Sequence, residues 1–214
     1  MKRLAVLLST VLAFGCDDEP QLDCADVEGK PGIMFCDDFS DGEEASWVPE
    51  GGGFSVSGAR YVGEGPAELD GSLCGASQMT ASLREGSRST DVVMHAEMRS
   101  LERVDKVLVL RAVDDANRIE LNFRAAPYND LIVQELIDCE LVYYTSDGEV
   151  VVEHEMGSTL EVDVTLRGNR LIVRRKAETV LDREFDFAST EGAVGVGVIE
   201  GGVSSFDSVW VEVL

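Results

Sequence analysis

The chain has 214 residues, enough for one domain of ordinary size or one with a small extension, and too few for a multidomain machine. With 44% hydrophobic residues and a mean hydropathy of 0.00, it can bury a real core, which excludes wholesale disorder. Its 41 acidic residues against 18 Lys and Arg give a net charge of −23, a field that repels nucleic-acid phosphates and favours cations or neutral ligands.

At the start, Lys2 and Arg3 precede an apolar run from Leu4 to Phe14. That run is shorter than the ~20 residues of a membrane-spanning helix and reads as a signal peptide. Its end, "LAFGC", resembles a bacterial lipobox, in which a small residue, here Gly15, precedes the cysteine that is diacylated and becomes the new N-terminus. Ala13 and Phe14 depart from the usual residues of that motif, and an ordinary secretion signal is the alternative. Cysteine parity favours acylation. Of five cysteines, lipidation of Cys16 leaves Cys24, Cys36, Cys74 and Cys139, an even set suited to an oxidising compartment.

Four cysteines allow three pairings. We favour Cys24 with Cys36, which would staple the incoming segment to the first strand, and Cys74 with Cys139. No C-x-x-C spacing points to a metal. Cleavage before Cys16 removes Lys2 and Arg3 and no acid, leaving −25. Residues from Asp17 to about Pro31 read as a short solvated tether. The expected division is a signal peptide over 1–15, an acidic tether over 16–32 and a β-domain over 33–214, carried in a bacterial cell envelope by the lipid anchor.

From Phe35 onward, period-two alternation recurs between turn signals, so the body is predicted to be all-β. Strands are expected near Phe35–Phe39, Phe54–Val56, Arg60–Val62, Ala67–Leu69, Val92–Met98, Lys106–Ala112, Arg118–Phe123, Leu131–Ile137, Leu141–Thr145, Val150–Met156, Leu160–Leu166, Leu171–Arg175, Val180–Phe185, Ala193–Val198 and Ser208–Val213. In "NRIELNFR", Ile119, Leu121 and Phe123 point one way and Glu120, Asn122 and Arg124 the other. "KVLVLRA" is apolar on both faces and belongs at a sheet centre. Gly168-Asn169 and Asp147-Gly148 are placed to turn two hairpins. So many short strands need two sheets or a closed barrel.

The segments "FCDDFSDGEEASW", "LVLRAVDDANRIELNFR" and "EGAVGVGVIEGGVSSFDSVWVEVL" resemble the opening, middle and close of bacterial concanavalin A-like lectin/glucanase domains, laminin G-like ones included. The resemblance covers roughly residues 33 to 214. It implies a jelly-roll sandwich of two antiparallel sheets with first and last strands as neighbours, and its motifs are shared by unrelated functions.

Laminarinase-type glucanases of that fold carry E-x-D-x-x-E or E-x-D-x-E on one strand. The nearest match is Glu161 and Asp163 in "EVDVTL", where Thr165 and Leu166 stand in place of the third carboxylate, so the pair reads as a solvated strand face. Glu153 and Glu155 have less support. His154, in phase with Val150, Val152 and Met156, is expected to be packed and hydrogen-bonded, and His95 to lie on a wetter face. Trp47 and Trp210 are expected in the core or at a sheet edge. The aromatics able to stack on a sugar are Trp47, Tyr128, Tyr143, Tyr144 and Trp210; Tyr128, with polar Asn129 and Asp130 after it, stands out because Pro127 places it in a loop. Asp38 and Asp207, near the paired ends of the domain, are expected to meet and to hold a structural calcium ion.

The function expected is a non-catalytic, lipid-anchored β-sandwich that binds a glycan or an envelope partner. The alternatives are an enzyme of the glucanase or keto-disaccharide hydrolase type, though the latter's Asn-Ser-Gly is missing, and a purely structural surface lipoprotein.

Overall fold

A computed structural model describes residues 24–27, 29–44, 46–50, 53–66, 79–102, 105–199 and 201–214. After one helical turn, α1 (Cys24–Val27), come β1 (Ile33–Asp37), β2 (Trp47–Glu50), β3 (Phe54–Val56), β4 (Tyr61–Glu64), β5 (Met79–Arg84), β6 (Val92–Ser100), β7 (Asp105–Asp114) and β8 (Asn117–Arg124). They are followed by β9 (Asp130–Ile137), β10 (Glu140–Tyr143), β11 (Thr159–Arg167), β12 (Arg170–Arg175), β13 (Glu178–Glu184), β14 (Ala193–Ile199) and β15 (Val203–Val213).

The strands form two antiparallel sheets. The back sheet runs β13-β12-β11-β6-β15-β4-β3, with β1 also paired to β15; the front sheet runs β10-β9-β8-β7-β14-β5-β2. The expected jelly-roll sandwich is present, and its first and last strands are neighbours, Cys36 opposite Trp210. Between the sheets, Met94 and Val164 from the back meet Leu108, Leu121, Phe123 and Val133 from the front, all fully buried. At one end of this core the rings of Phe39, Tyr61 and Phe54 stack in series, with centroids 5.1 and 4.8 Å apart, and buried Trp47 leans on them. Trp47 Nε1 donates to Asp37 Oδ2 at 2.8 Å, so its one polar atom is satisfied.

β7 lies centrally between β8 and β14, as its doubly apolar sequence requires. Leu108 and Leu110 face the core, while Val107 and Val109 join Met79 and Ala81 in a second apolar cluster on the outer side. The β11–β12 hairpin turns at Gly168-Asn169, where Gly168 adopts a φ of 54° that favours a residue without Cβ.

Three expectations change. Val150–Met156 is not a strand: only Val151 makes an isolated bridge, to Asp130, so Asp147-Gly148 turns the chain without making a hairpin. The alternation there is real, but His154 is spent on a partner inside the sandwich. β2 and β5 lie where no strand is expected; Pro49 interrupts the first pattern, and β2 is an edge strand, where a missing N–H is tolerated. Residues 24–27, read as tether, fold instead into α1, fastened by the Cys24–Cys36 disulfide with Val27 buried against the domain. The strand expected at Ala67–Leu69 lies outside the described residues, as do Cys16 and Cys74. Cys139 is disulfide-bonded to a partner outside that set. No helix among the described residues is long and apolar enough to cross a membrane.

Candidate functional site

The outer face of the front sheet carries a ladder of polar side chains. On β8, Arg118, Glu120, Asn122 and Arg124 alternate with the core residues Ile119, Leu121 and Phe123. Register sets Glu120 beside Gln134 of β9, which lies beside Tyr143 of β10, and sets Arg124 beside Asp130. Gln134 Nε2 donates to Glu120 Oε2 at 2.6 Å, and Arg118 Nε to Oε1 at 2.7 Å, so the carboxylate is engaged on both oxygens. Asn122 Nδ2 donates to Asp105 at 3.2 Å. Arg118, Glu120, Asn122 and Gln134 are buried, and Arg124 is partly so.

Arg118 also reaches Glu50 on β2, at 3.5 Å. β8 and β2 stand four places apart in the sheet. At ~4.8 Å per strand, roughly 19 Å would separate them in a flat sheet, more than the two side chains can close. The ion pair therefore requires this face to be concave.

The rim of the face is built by the residues singled out from sequence. Tyr128 sits in the turn after β8, which contains a cis Ala126–Pro127 bond, and its side chain is 61% exposed. The Arg124 guanidinium lies over its ring, 4.4 Å from the centroid. Arg124 is held by Asp130 through Nε to Oδ1 at 2.7 Å and NH2 to Oδ2 at 2.5 Å, and reaches Asp147 at 2.9 Å. Asp130 is buried and also accepts the Gly148 amide at 2.7 Å. Burial alone would raise its pKa, but Arg124 and the Gly148 amide outweigh burial and hold it below the usual carboxylate value. Asp130 is thus a positioning residue rather than an open contact. Asn129 adopts a φ of 52°, and its carbonyl accepts the Val152 amide at 2.9 Å.

Tyr143, 64% exposed, stands on the Gln134 side of edge strand β10. From the level of Asp130 to that of Gln134 is four strand steps, roughly 13 Å. Two exposed rings therefore mark the ends of one stretch of rim. Tyr144, by contrast, is structural: its hydroxyl donates to buried Glu135 at 2.9 Å.

The other candidates lie elsewhere. Glu161 and Asp163 occupy the outer face of the back sheet, opposite Glu97 and His95. Asp163 Oδ1 is 2.9 Å from His95 Nδ1. His95 is buried, not wet, and stacks on half-buried Trp210 with centroids 5.6 Å apart. Burial would lower its pKa, but Asp163 and then Glu97 override burial and push it up to about 9. Glu153 and Glu155 are exposed in the segment after Val152.

Asp207 is buried between Arg60 at 3.0 Å and Arg99 at 3.4 Å, whereas Asp38 accepts the Ser40 amide at 3.0 Å. No group of three or more His, Cys, Asp or Glu side chains among the described residues is arranged to hold a metal ion.

Sequence reasoning missed the roles of Arg124 and Lys106. The signal for Lys106 was available: it heads "KVLVLRA" in phase with Leu108 and Leu110, and so points inward. It is fully buried, with Nζ at 2.5 Å from Ser100 Oγ and 2.7 Å from His154 Nε2.

No family model and no curated protein matches the chain. Solved structures do. The carbohydrate-binding module CBM66 from Bacillus subtilis aligns with a TM-score of 0.65 at 15% identity, over 78% of this chain and 95% of that one. A prokaryotic β-1,3-1,4-glucanase (lichenase) from a mouse hindgut metagenome aligns with 0.60 at 10%, over 84% and 99%. A Bacillus subtilis protein of unknown function with a galectin-like fold gives 0.60 at 10%, over 85% and 96%. The fold is that of concanavalin A-like and galectin-like β-sandwiches, among them carbohydrate-binding modules and glucanases.

Proposed function

We propose that this chain is a non-catalytic carbohydrate-binding β-sandwich, carried in a bacterial envelope by a lipid on Cys16, with the front-sheet rim as its ligand platform. The observation that carries this reading is the pair of exposed rings, Tyr128 and Tyr143, on one concave sheet face. Sugars stack on such rings through their apolar faces, while neighbouring polar groups fix orientation. The Arg124–Asp130–Asp147 group supplies those polar neighbours and holds Tyr128 in place.

Hydrolysis is the weaker reading because a glycosidase needs a proton donor and a second carboxylate flanking the bond. Glu120, on the concave face, is bound by Arg118 and Gln134, and Asp163 serves His95 on the opposite side of the molecule. The net charge of −23 favours neutral glycans over anionic ones. The test is a glycan array probed with the full chain in detergent, then with Tyr128→Ala and Tyr143→Ala. Binding that either substitution weakens at least tenfold supports the platform. A folded protein that binds no glycan but captures an envelope protein supports the partner reading. The anchor is tested by Cys16→Ser, which should move the protein from the membrane to the soluble fraction.

A further inference from the structure

Inside one end of the sandwich, Lys106 joins three parts of the fold. It opens β7, its Nζ meets Ser100 at the end of β6, and it meets His154 in the segment that follows Val152. His154 Nδ1 is 3.0 Å from the Val152 carbonyl. A carbonyl only accepts, so Nδ1 carries the proton and Nε2 offers its lone pair to Lys106. Burial, then the positive charge of Lys106, with a further push from Arg175, brings His154 down to about 4. Burial likewise brings Lys106 down to about 7, with Asp105 opposing. The remaining neighbour in register with Ser100 is Ser204, whose buried hydroxyl makes no hydrogen bond.

The His154 segment is tied directly to the rim. Leu131 N–H donates to the Val150 carbonyl at 2.9 Å, and Val152 N–H to the Asn129 carbonyl at 2.9 Å. Asn129 adjoins Tyr128.

We propose that the Lys106–His154 hydrogen bond is an acid-released latch on the Tyr128–Asp130 rim. A proton taken up at His154 Nε2 removes the lone pair that Lys106 uses, and two donors, both cationic once Lys106 is charged, then face each other at 2.7 Å. Around His154 the segment is irregular, with exposed Glu153 and Glu155 on either side, so it can swing His154 into water; what opposes the swing is its bonds to Asn129 and Leu131, the Gly157 amide on the Ser100 carbonyl at 2.9 Å, and the burial of Val150 and Val152. Arg124 and the Gly148 amide hold Asp130 below the usual carboxylate value, so its pair with Arg124 outlasts that of an ordinary carboxylate as pH falls. The latch thus frees the backbone beneath Tyr128 without dissolving the whole rim. Its meaning for ligand binding rests on the platform reading above; the latch itself does not.

The sign follows from linkage. The latched imidazole titrates at about 4 against 6.5 for a free one, so the latch is full above 6.5 and is lost as pH falls through 4. Between pH 6 and pH 4 its closing constant should fall ~40-fold. The experiment is amide hydrogen exchange on the full chain at pH 6, 5 and 4, corrected for the intrinsic rate, reading Val152 and Leu131 against the ladder amides of β11. Protection at Val152 and Leu131 should drop by that factor while β11 holds. His154→Gln, whose carbonyl accepts from Lys106 without titrating, should keep protection flat. Lys106→Met should lower it already at pH 6. Flat protection in the unmodified protein, or an equal drop in His154→Gln, would overturn the latch. No glycan enters the experiment, so a failed array leaves this result standing.

Discussion

Asp130 grips Arg124 through both carboxylate oxygens, at 2.7 and 2.5 Å, and that arginine lies over the exposed ring of Tyr128. A buried acid thus stands behind an open aromatic. Truncating Asp130 leaves the Gly148 amide without its acceptor and Arg124 with exposed Asp147 alone. Asp130→Ala should cost ~1–3 kcal/mol in urea unfolding, the usual penalty for leaving a buried amide unsatisfied and a partly buried charge less well paired. Tyr128→Ala, which removes a mostly exposed ring and its contact with Arg124, should cost less than ~1 kcal/mol. Equal losses in the two variants would mean that the pair does not carry the rim.

Two buried cations should give opposite pH slopes. His95 has its folded pKa raised to about 9 from 6.5, so its contribution is full below 6.5 and is lost as pH rises through 9. Lys106 has its folded pKa lowered to about 7 from 10.5, so stability is least below 7 and climbs as pH rises from 7 to 10.5. The slopes oppose between 7 and 9. Urea midpoints at pH 6, 8 and 10 should therefore separate them only in variants: His95→Gln deletes the falling component and Lys106→Met the rising one. Parallel curves for all three proteins would contradict both assignments.

The Cys24–Cys36 bridge spans 12 positions and fastens α1 to β1. Closing so short a loop is worth about 3 kcal/mol by chain entropy. Replacing both cysteines by serine should lower stability by that order and expose the backbone of residues 24–27 to proteolysis. An unchanged cleavage pattern would show that Val27 alone seats the turn.

Gly195 and Gly197 let β14 lie close beside β5. A Cβ on Gly195 would stand 2.5 Å from the Ser82 carbonyl oxygen, part of the backbone, whereas one on Gly197 would meet the Met79 sulfur at 2.5 Å, in a side chain able to swing away. Gly195→Ala should therefore destabilise by ~1–3 kcal/mol and clearly more than Gly197→Ala. The reverse order in thermal melts would refute the close-approach argument.

Much of this architecture is legible in the sequence because alternation reports on two-faced burial. "NRIELNFR" reads directly as β8, and the Gly168-Asn169 turn fixes the β11–β12 hairpin. What alternation cannot report is whether an alternating segment has a strand to pair with. Val150–Met156 alternates, yet Asp130 takes the Gly148 amide and Lys106 takes His154, which leaves a strap. β2 was hidden by Pro49. At the candidate site, the exposed loop position of Tyr128 was legible through Pro127. The role of Arg124 was not, because its bond to Asp130 depends on β8–β9 register rather than on either residue's neighbours.

The measurement that tests the central claim most directly is glycan-array binding by the full chain, with Tyr128→Ala, Tyr143→Ala and the double variant run beside it. The account predicts binding to neutral glycans, a loss of at least tenfold in each single variant and no measurable binding in the double, with unfolding free energies within ~1 kcal/mol of the parent. Glycan binding undiminished in the double variant would contradict it, as would a well-folded parent protein that binds none.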